Sequence, residues 1–324
     1  MKIYNLVTGA AGFVGFSLCL VLLKNGQNII GIDNINSYYD VSIKKKRISI
    51  LKKYPNFKFL KIDLRNFKKL KYNLRLYNIK KIFHFAAQAG VRHSINHPEE
   101  YVSNNLVATH NLLELCRKKK INRLIFASSS SVYGKPTKKK IKEIHDTNKP
   151  LQFYAATKKS CELMAHSYSS MYKIKTTVLR FFTLYGPWGR PDMALFKFTK
   201  SILENKKIEV YNYGNHQRDF TYIDDAVMAI IKASNEKLTN KVSYKTYNVG
   251  NGKSVKLKYY INLLEKKLKI KAKIKYLPMQ KGDVKGILSE NKKIKKLKTF
   301  QKNKVDVETG VNRFIDWYKK YHNI

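Results

Sequence analysis

The chain has 324 residues, 44% of them apolar, and a formal net charge of +43. That length suits one large domain or two ordinary ones with a real core, and no apolar run reaches the roughly 20 residues of a membrane span. Three scattered cysteines, Cys19, Cys116 and Cys161, with no Cys-x-x-Cys, argue against a disulfide framework and fit a reduced, cytoplasmic compartment. The segment MKIYNLVTGAAG resembles a secretion signal only faintly, because a glycine loop interrupts the apolar stretch. Lysines run from Lys2 to Lys320 in short clusters such as 44–46, 118–120 and 138–140, with no basic arm. Dispersed charge tunes solubility and weak attraction to polyanions, so no specific nucleic-acid partner and no membrane partner is expected. The abundance of Lys, Asn, Ile and Tyr is also what AT-rich codons dictate.

Strands and helices alternate from the start. KIYNLVTG (2–9) reads as a buried strand entering a glycine turn, and 12–25 carries Phe13, Phe16, Leu20 and Leu23 at helical spacing. QNIIGID is a second strand, 44–54 a helix, FKFLKIDL a third strand and 80–85 a fourth. Pro98 is placed to start a long helix running to about Lys120. INRLIFASS is a fifth strand, 152–172 a helix and KTTVLRFF a sixth strand. This alternation predicts an α/β, Rossmann-type doubly wound parallel sheet with helices on both faces.

After Tyr185 the texture changes to the loop GPWGRPD, a helix at 194–203 and the strand IEVYNYG. Helices follow at 221–234, 256–268 and 308–321, with the strand YKTYNVG between the first two. The expected domains are a cofactor-binding domain at 1–183, with a return segment about 222–249, and a smaller lobe from 184–221 and 250–324.

TGAAGFVG (8–15) leaves a strand and opens a helix. Gly9, Gly12 and Gly15 allow a tight turn, close approach to a pyrophosphate and helix–sheet packing. Asp33 ends the next strand, where an acid accepts from the adenosine ribose hydroxyls; Asn34 rather than Arg follows, which favours NAD over NADP. Asp63 either accepts from the adenine amino group or caps the following turn. The small Ala86 and Ala87 in HFAAQAGVR admit a cofactor, and Arg92 either meets a phosphate or carboxylate or makes a surface pair.

The central pair is Tyr154 and Lys158 in YAATK, four apart and so on one face of a helix. Bringing a phenol from its ordinary pKa near 10 down to neutrality takes about 4 kcal/mol. One cation about 4 Å away, at an effective dielectric of about 20, supplies about that much. The pair thus reads as a proton shuttle beside a hydride acceptor. ASSSSVYG (127–134) ends the fifth strand, where ligands bind in open parallel sheets. A hydroxyl there either forms a turn or bonds both a substrate hydroxyl and the Tyr154 phenol. No Gly-x-Ser-x-Gly elbow supports a serine triad. His93 and His97 have i, i+4 spacing but neither a His-Glu-x-x-His context nor a third ligand, so no metal is expected.

TGAAGFVG, the serine strand end and YAATK together resemble the extended short-chain dehydrogenase/reductase superfamily over nearly the whole chain. More narrowly, DNINSYYD (33–40), HFAAQAGVR, YAATKKSCELMAHSYS and the block RFFTLYGPWGRPDMALFKFTKSILENKKIEVYNYG resemble UDP-glucuronate 4-epimerases of bacterial polysaccharide synthesis. The resemblance implies Tyr154 as catalytic base, Lys158 as its partner on the nicotinamide ribose and Ser129 as catalytic serine, with Ser128 and Ser130 supporting. It puts Phe13, Val14, Leu64 and Gln88 with the glycines, Asp33, Asn34, Asp63, Ala86 and Ala87 around NAD.

Thr183 and Arg190 are implied near the sugar and its carboxylate. Arg218, the alternative to which is an ion pair with Asp219 or Asp224, and Asp283 are implied at the UDP end. The segment QKGDVKGILSEN departs from the family pattern, with Lys281 where Pro is usual. Relatives that decarboxylate or dehydrate usually carry an acid where this chain has Ser131. The implied activity is therefore reversible C4 epimerisation of UDP-glucuronate to UDP-galacturonate through a 4-keto sugar, by a homodimer joined through paired helices. A 4-epimerase of a neutral UDP-hexose, such as UDP-glucose or UDP-N-acetylglucosamine, and a non-catalytic nucleotide- or RNA-binding protein are the alternatives.

Overall fold

The computed structural model describes residues 2–136, 138, 140–297 and 305–324; Lys139 of the 138–140 lysine cluster lies outside them. Six strands, β1 (Ile3–Thr8), β2 (Ile29–Asp33), β3 (Phe57–Lys61), β4 (Asn78–His84), β5 (Arg123–Ser129) and β6 (Lys175–Phe181), form a parallel sheet in the order 3-2-1-4-5-6. A seventh strand, Tyr244–Val249, returns from the later part of the chain and pairs parallel to β6. Strand order reverses between β1 and β4, and an open parallel sheet takes its ligand in the crevice beyond the carboxyl ends at such a point.

The strands are apolar on both faces because both are covered. On one face Phe13, Phe16, Leu22 and Leu23 of the helix α1 (Phe13–Lys24) pack with Ile43 and Leu51 of α2 (Val41–Leu51). On the other, Leu112 and Cys116 of the helix Ala108–Lys118 pack with Cys161 and Ala165 of the helix Phe153–Tyr172. All three cysteines are free and buried. No helix among the described residues is long and apolar enough to cross a membrane.

The lobe beyond β6 is built from short pieces. Thr183–Tyr185 pairs with Phe220–Tyr222, Lys207–Tyr211 with Lys273–Leu277, and Gln217–Arg218 sits between Val255–Lys256 and Gly286–Ile287. The buried Asp219 carboxylate ties these pieces together. It accepts from the amides of Asn251 (2.6 Å), Gly252 (3.0 Å) and Ser289 (3.0 Å).

Two helices differ from expectation. The helix predicted at 44–54 begins at Val41, because Asp40 caps it by accepting from the Ser42 amide at 2.8 Å. The helix predicted from Pro98 to Lys120 is interrupted: Pro98–Tyr101 gives way to a widened turn, Val102–Val107, before Ala108–Lys118. Asn104 donates to the Glu100 carbonyl at 2.8 Å, a side-chain bond that competes with the helical ladder. Widened turns of this kind often mark functional sites. Here Asn105 clamps the segment after β4, accepting from the Gln88 amide at 2.8 Å while donating to Thr157 at 3.0 Å.

Candidate active site

The carboxyl ends of β1, β2, β4 and β5 open onto one cavity of about 430 Å³. Its wall begins with Gly9, Gly12, Phe13, Val14 and Gly15. Gly9 has φ +72°, and a Cβ there would lie 2.7 Å from the Ala86 amide nitrogen; a Cβ on Gly15 would overlap the Gly9 carbonyl. The loop after β1 thus lies against the loop after β4 as only glycine permits. No side chain caps α1 and its first turn holds no acid, so its amides are left for an anion.

Asp33, Asn34, Asp63 and Leu64 form the next part of the wall, and Ala86, Ala87 and Gln88 face it. Asp33 accepts from the amides of Ala11 (3.0 Å) and Ile35 (2.8 Å), and burial pushes its carboxyl up. Asp63 accepts from Asn34 at 3.1 Å and pairs with Arg65 at 2.7 Å. Despite partial burial, these donors bring it down to about 2. Its Oδ1 also accepts from the Arg65 amide at 2.9 Å, so it caps the turn after β3, while Asn66 caps the helix that follows by accepting from the Lys69 amide. A glycine cradle beneath a bare helix N-terminus, with a carboxylate at the end of β2, fits the pyrophosphate and ribose of NAD.

Ser128, Ser129, Ser130, Tyr154, Lys158, Thr183 and Arg190 line the other end. Burial pushes the Tyr154 phenol up, against the pull of the Ser129 hydroxyl and of Arg190. Lys158 was expected to draw the phenol down, but its ammonium lies 4.6 Å over the Phe126 ring and burial lowers its own pKa. Charge on the pair is therefore opposed by desolvation on both members. Ser128 is tied up differently from expectation. Its hydroxyl donates to Glu162, which is in a buried ion pair with Arg180 at 2.7 Å. That bond fixes the end of β5 and removes the Ser128 proton from substrate recognition.

Arg190 pairs with Asp192 through Nε and Nη2. Arg92, Arg218 and Asp283 do not line this cavity. They form a separate cluster in which Asp283 meets Arg218 at 2.8 Å, His216 at 3.4 Å and Arg92 at 3.9 Å. The partner of Arg218 is thus Asp283, neither Asp219 nor Asp224.

Three cavity-shaping residues were not anticipated. Arg47 is fully buried and donates to the carbonyls of Ala11 (2.7 Å), Trp188 (2.5 Å) and Gly189 (3.2 Å). It joins the glycine loop to the loop bearing Arg190. The available signal was a cation in step with the apolar Ile43 and Leu51 along α2. Lys44, pushed down to about 8 by burial, lines the wall, as does Tyr38, whose hydroxyl donates to Asp192 at 3.4 Å. The spacing of His93 and His97 lacked a third ligand; folding supplies Glu100, with the ligand atoms of all three within 4.8 Å of one another.

This fold and site define a nucleotide-cofactor enzyme of the short-chain dehydrogenase type, and the chain belongs to the NAD dependent epimerase/dehydratase family, which it matches over residues 5–250. Among its relatives, Protein CapI of Staphylococcus aureus is 44% identical, with 99% of each chain covered. The UDP-glucuronate 4-epimerase of Thermodesulfobacterium geofontis is 40% identical over 98% of this chain and 96% of its own length. In structure the chain is similar to the Bacillus cereus UDP-glucuronic acid 4-epimerase in complex with UDP-glucuronic acid and NAD. The TM-score is 0.90 at 34% identity, covering 99% of this chain and 100% of that one.

Proposed function

We propose that this enzyme interconverts UDP-glucuronate and UDP-galacturonate by inversion at C4, with NAD tightly held. The observation that carries the reading is the meeting in one cavity of a glycine cradle, the Tyr154–Lys158–Ser129 set and the Thr183–Arg190 pair. The relatives named above support the uronate as substrate.

Gly9, Gly12, Gly15, Asp33 and Asn34 would hold the cofactor, with Asp63 and Leu64 at its adenine end. When bound, NAD supplies a hydride acceptor that returns the hydride to the opposite face of the sugar. Tyr154 takes the proton of the sugar 4-hydroxyl through its phenolic oxygen and gives one back after the 4-keto sugar has turned over. Ser129 bonds the same hydroxyl and steadies the phenolate. Lys158 would partner Tyr154 by holding the nicotinamide ribose. Ser130 and Thr183 offer hydroxyls to the sugar. Arg190 uses Nε and Nη2 on Asp192, which leaves Nη1 for the substrate carboxylate. A carboxylate so clamped near the ring plane resists loss of carbon dioxide from the β-keto acid. Arg92, Arg218 and Asp283 are assigned to the UDP end, where remote binding anchors the substrate while its sugar rotates.

The same reading divides the chain into a cofactor domain, 1–183 with a return at 222–249, and a sugar-nucleotide lobe, 184–221 and 250–324. It makes the protein a cytoplasmic homodimer serving surface-polysaccharide synthesis and gives the positive charge no specific nucleic-acid role. The test is proton NMR of the enzyme with UDP-glucuronate. UDP-galacturonate accumulates to equilibrium without carbon dioxide or net NADH. Conversion of UDP-glucose but not the uronate would replace this reading with that of a neutral-hexose epimerase.

A further inference from the structure

We infer that His93, His97 and Glu100 form a binding site for a zinc-class divalent transition metal at the rim of the cavity. The three ligand atoms lie within 4.8 Å of one another, and His93 Nε2 is already 3.0 Å from Glu100 Oε2. Zinc bonds imidazole nitrogen and carboxylate oxygen at about 2.0–2.2 Å, so ligands of one tetrahedral ion sit about 3.3 Å apart. The His93–Glu100 pair therefore has the required spacing, while the His97 ring, stacked on His93 at an interplanar angle of 27°, has to close by up to about 1.5 Å and tilt so that its in-plane lone pair meets the ion.

The backbone sets this arrangement. A residue before proline avoids the helical region. His97, before Pro98, has φ −133° and ψ 56°, which ends one helical turn and starts another. That break stacks the His97 ring on His93 at 4.4 Å, while the new turn brings Glu100 back over His93. Glu99 adds a second carboxylate, 3.8 Å from His97 Nδ1. The pair of acids offsets locally the field of a chain that is strongly positive overall. Two imidazoles and a carboxylate select zinc, cobalt and their neighbours over magnesium or calcium, which prefer all-oxygen shells.

The site touches the wall of the cavity. The His93 ring packs 4.9 Å from Tyr38, which lines the cavity and bonds Asp192. An ion binding the 93–100 segment together fixes the ring against which Tyr38 rests. None of its ligands belongs to the cofactor or sugar machinery, so the inference stands apart from the choice of substrate.

The experiment is a titration of the full, tag-free chain with Co²⁺, followed by visible absorption. Expected are one cobalt per chain, the intense absorption of a four-coordinate ion, displacement by Zn²⁺ and a rise in melting temperature with Zn²⁺. His97→Ala and Glu100→Gln each weaken uptake by more than the roughly 10–100-fold that loss of an outer-shell partner costs. His145→Ala, at a half-buried histidine elsewhere, leaves it unchanged. Absence of the absorption band, uptake unaffected by His97→Ala, or an equal loss in His145→Ala would overturn the site.

Discussion

Lys158 and Phe126 form a cation–ring pair, the ammonium 4.6 Å from the ring centroid. The lysine is buried and its pKa lowered, while the neighbouring Tyr154 phenol is raised. The protein by itself thus keeps the phenol protonated, and a further positive charge in the cavity has to shift it. NAD binding is expected to lower the Tyr154 pKa, read as tyrosinate absorbance in the wild type minus that of Tyr154→Phe. The variant itself retains NAD and loses turnover. Identical titrations with and without NAD would refute the coupling.

Ser129 is the first of the groups that pull the phenol down. Ser129→Ala is expected to raise the Tyr154 pKa further. Where the phenolate acts as base, the acid limb of kcat/KM then moves to higher pH, and turnover falls by about 10²–10⁴-fold. A slower enzyme with an unmoved acid limb would leave Ser129 as a substrate contact alone.

Arg47 spans three carbonyls on two loops. Arg47→Leu leaves those acceptors buried without donors, at a cost of about 1–3 kcal/mol for each. Denaturant unfolding should show a loss of about 3 kcal/mol or more. Because Ala11 belongs to the glycine loop and Gly189 to the Arg190 loop, NAD retention and KM for the sugar nucleotide should both suffer. A variant of wild-type stability would show that the bridge is ornamental.

Gly15 faces backbone at overlap distance. Gly15→Ala forces α1 away from the turn after β1, and such overpacking costs about 1–3 kcal/mol. The purified variant should carry little or no NAD, seen as a lower 260/280 nm absorbance ratio. Full occupancy would contradict the packing.

His84 accounts for part of the acid sensitivity. Its ring is buried between Thr8 (2.8 Å) and Thr109 (3.1 Å), and burial, helped by the field of Lys158, pushes it down to about 3. An unfolded chain binds a proton at this residue below about pH 6.5, the folded chain only near 3. Its effect on stability is therefore flat above about 6.5 and destabilising as pH falls from there toward 3. Thermal melts between pH 7.5 and 4.5 should fall more steeply for the wild type than for His84→Asn. Parallel curves would remove His84 from that role.

The part of the site written in local spacing was legible in advance. The glycine loop, Asp33, the serine strand end and Tyr154–Lys158 each sit at a strand or helix end that periodicity locates, and all line one cavity. What escaped depends on distant pairing. Arg47 finds two of its three carbonyl acceptors 141 and 142 positions away, and Arg218 finds Asp283 65 positions away. The helix Phe67–Leu74 was missed because it buries only Leu70 and Leu74, too few for a period. Ser128 looked like its serine neighbours, and only packing against Glu162 set it apart. Likewise, the burial that reversed the expected shift of Tyr154 is a property of the folded interior and not of four-residue spacing.

The strand Tyr244–Val249 that flanks β6 has a consequence for biosynthesis. During translation β6 leaves the ribosome long before its outer neighbour, so its free backbone edge waits while the intervening stretch is made. At about 5–20 residues per second that wait lasts several seconds. An unpaired edge is a template for intermolecular joining. Newly made chains should therefore be most prone to coalesce in that interval, and crowded polysomes or a slowed C-terminal half should lower the soluble yield.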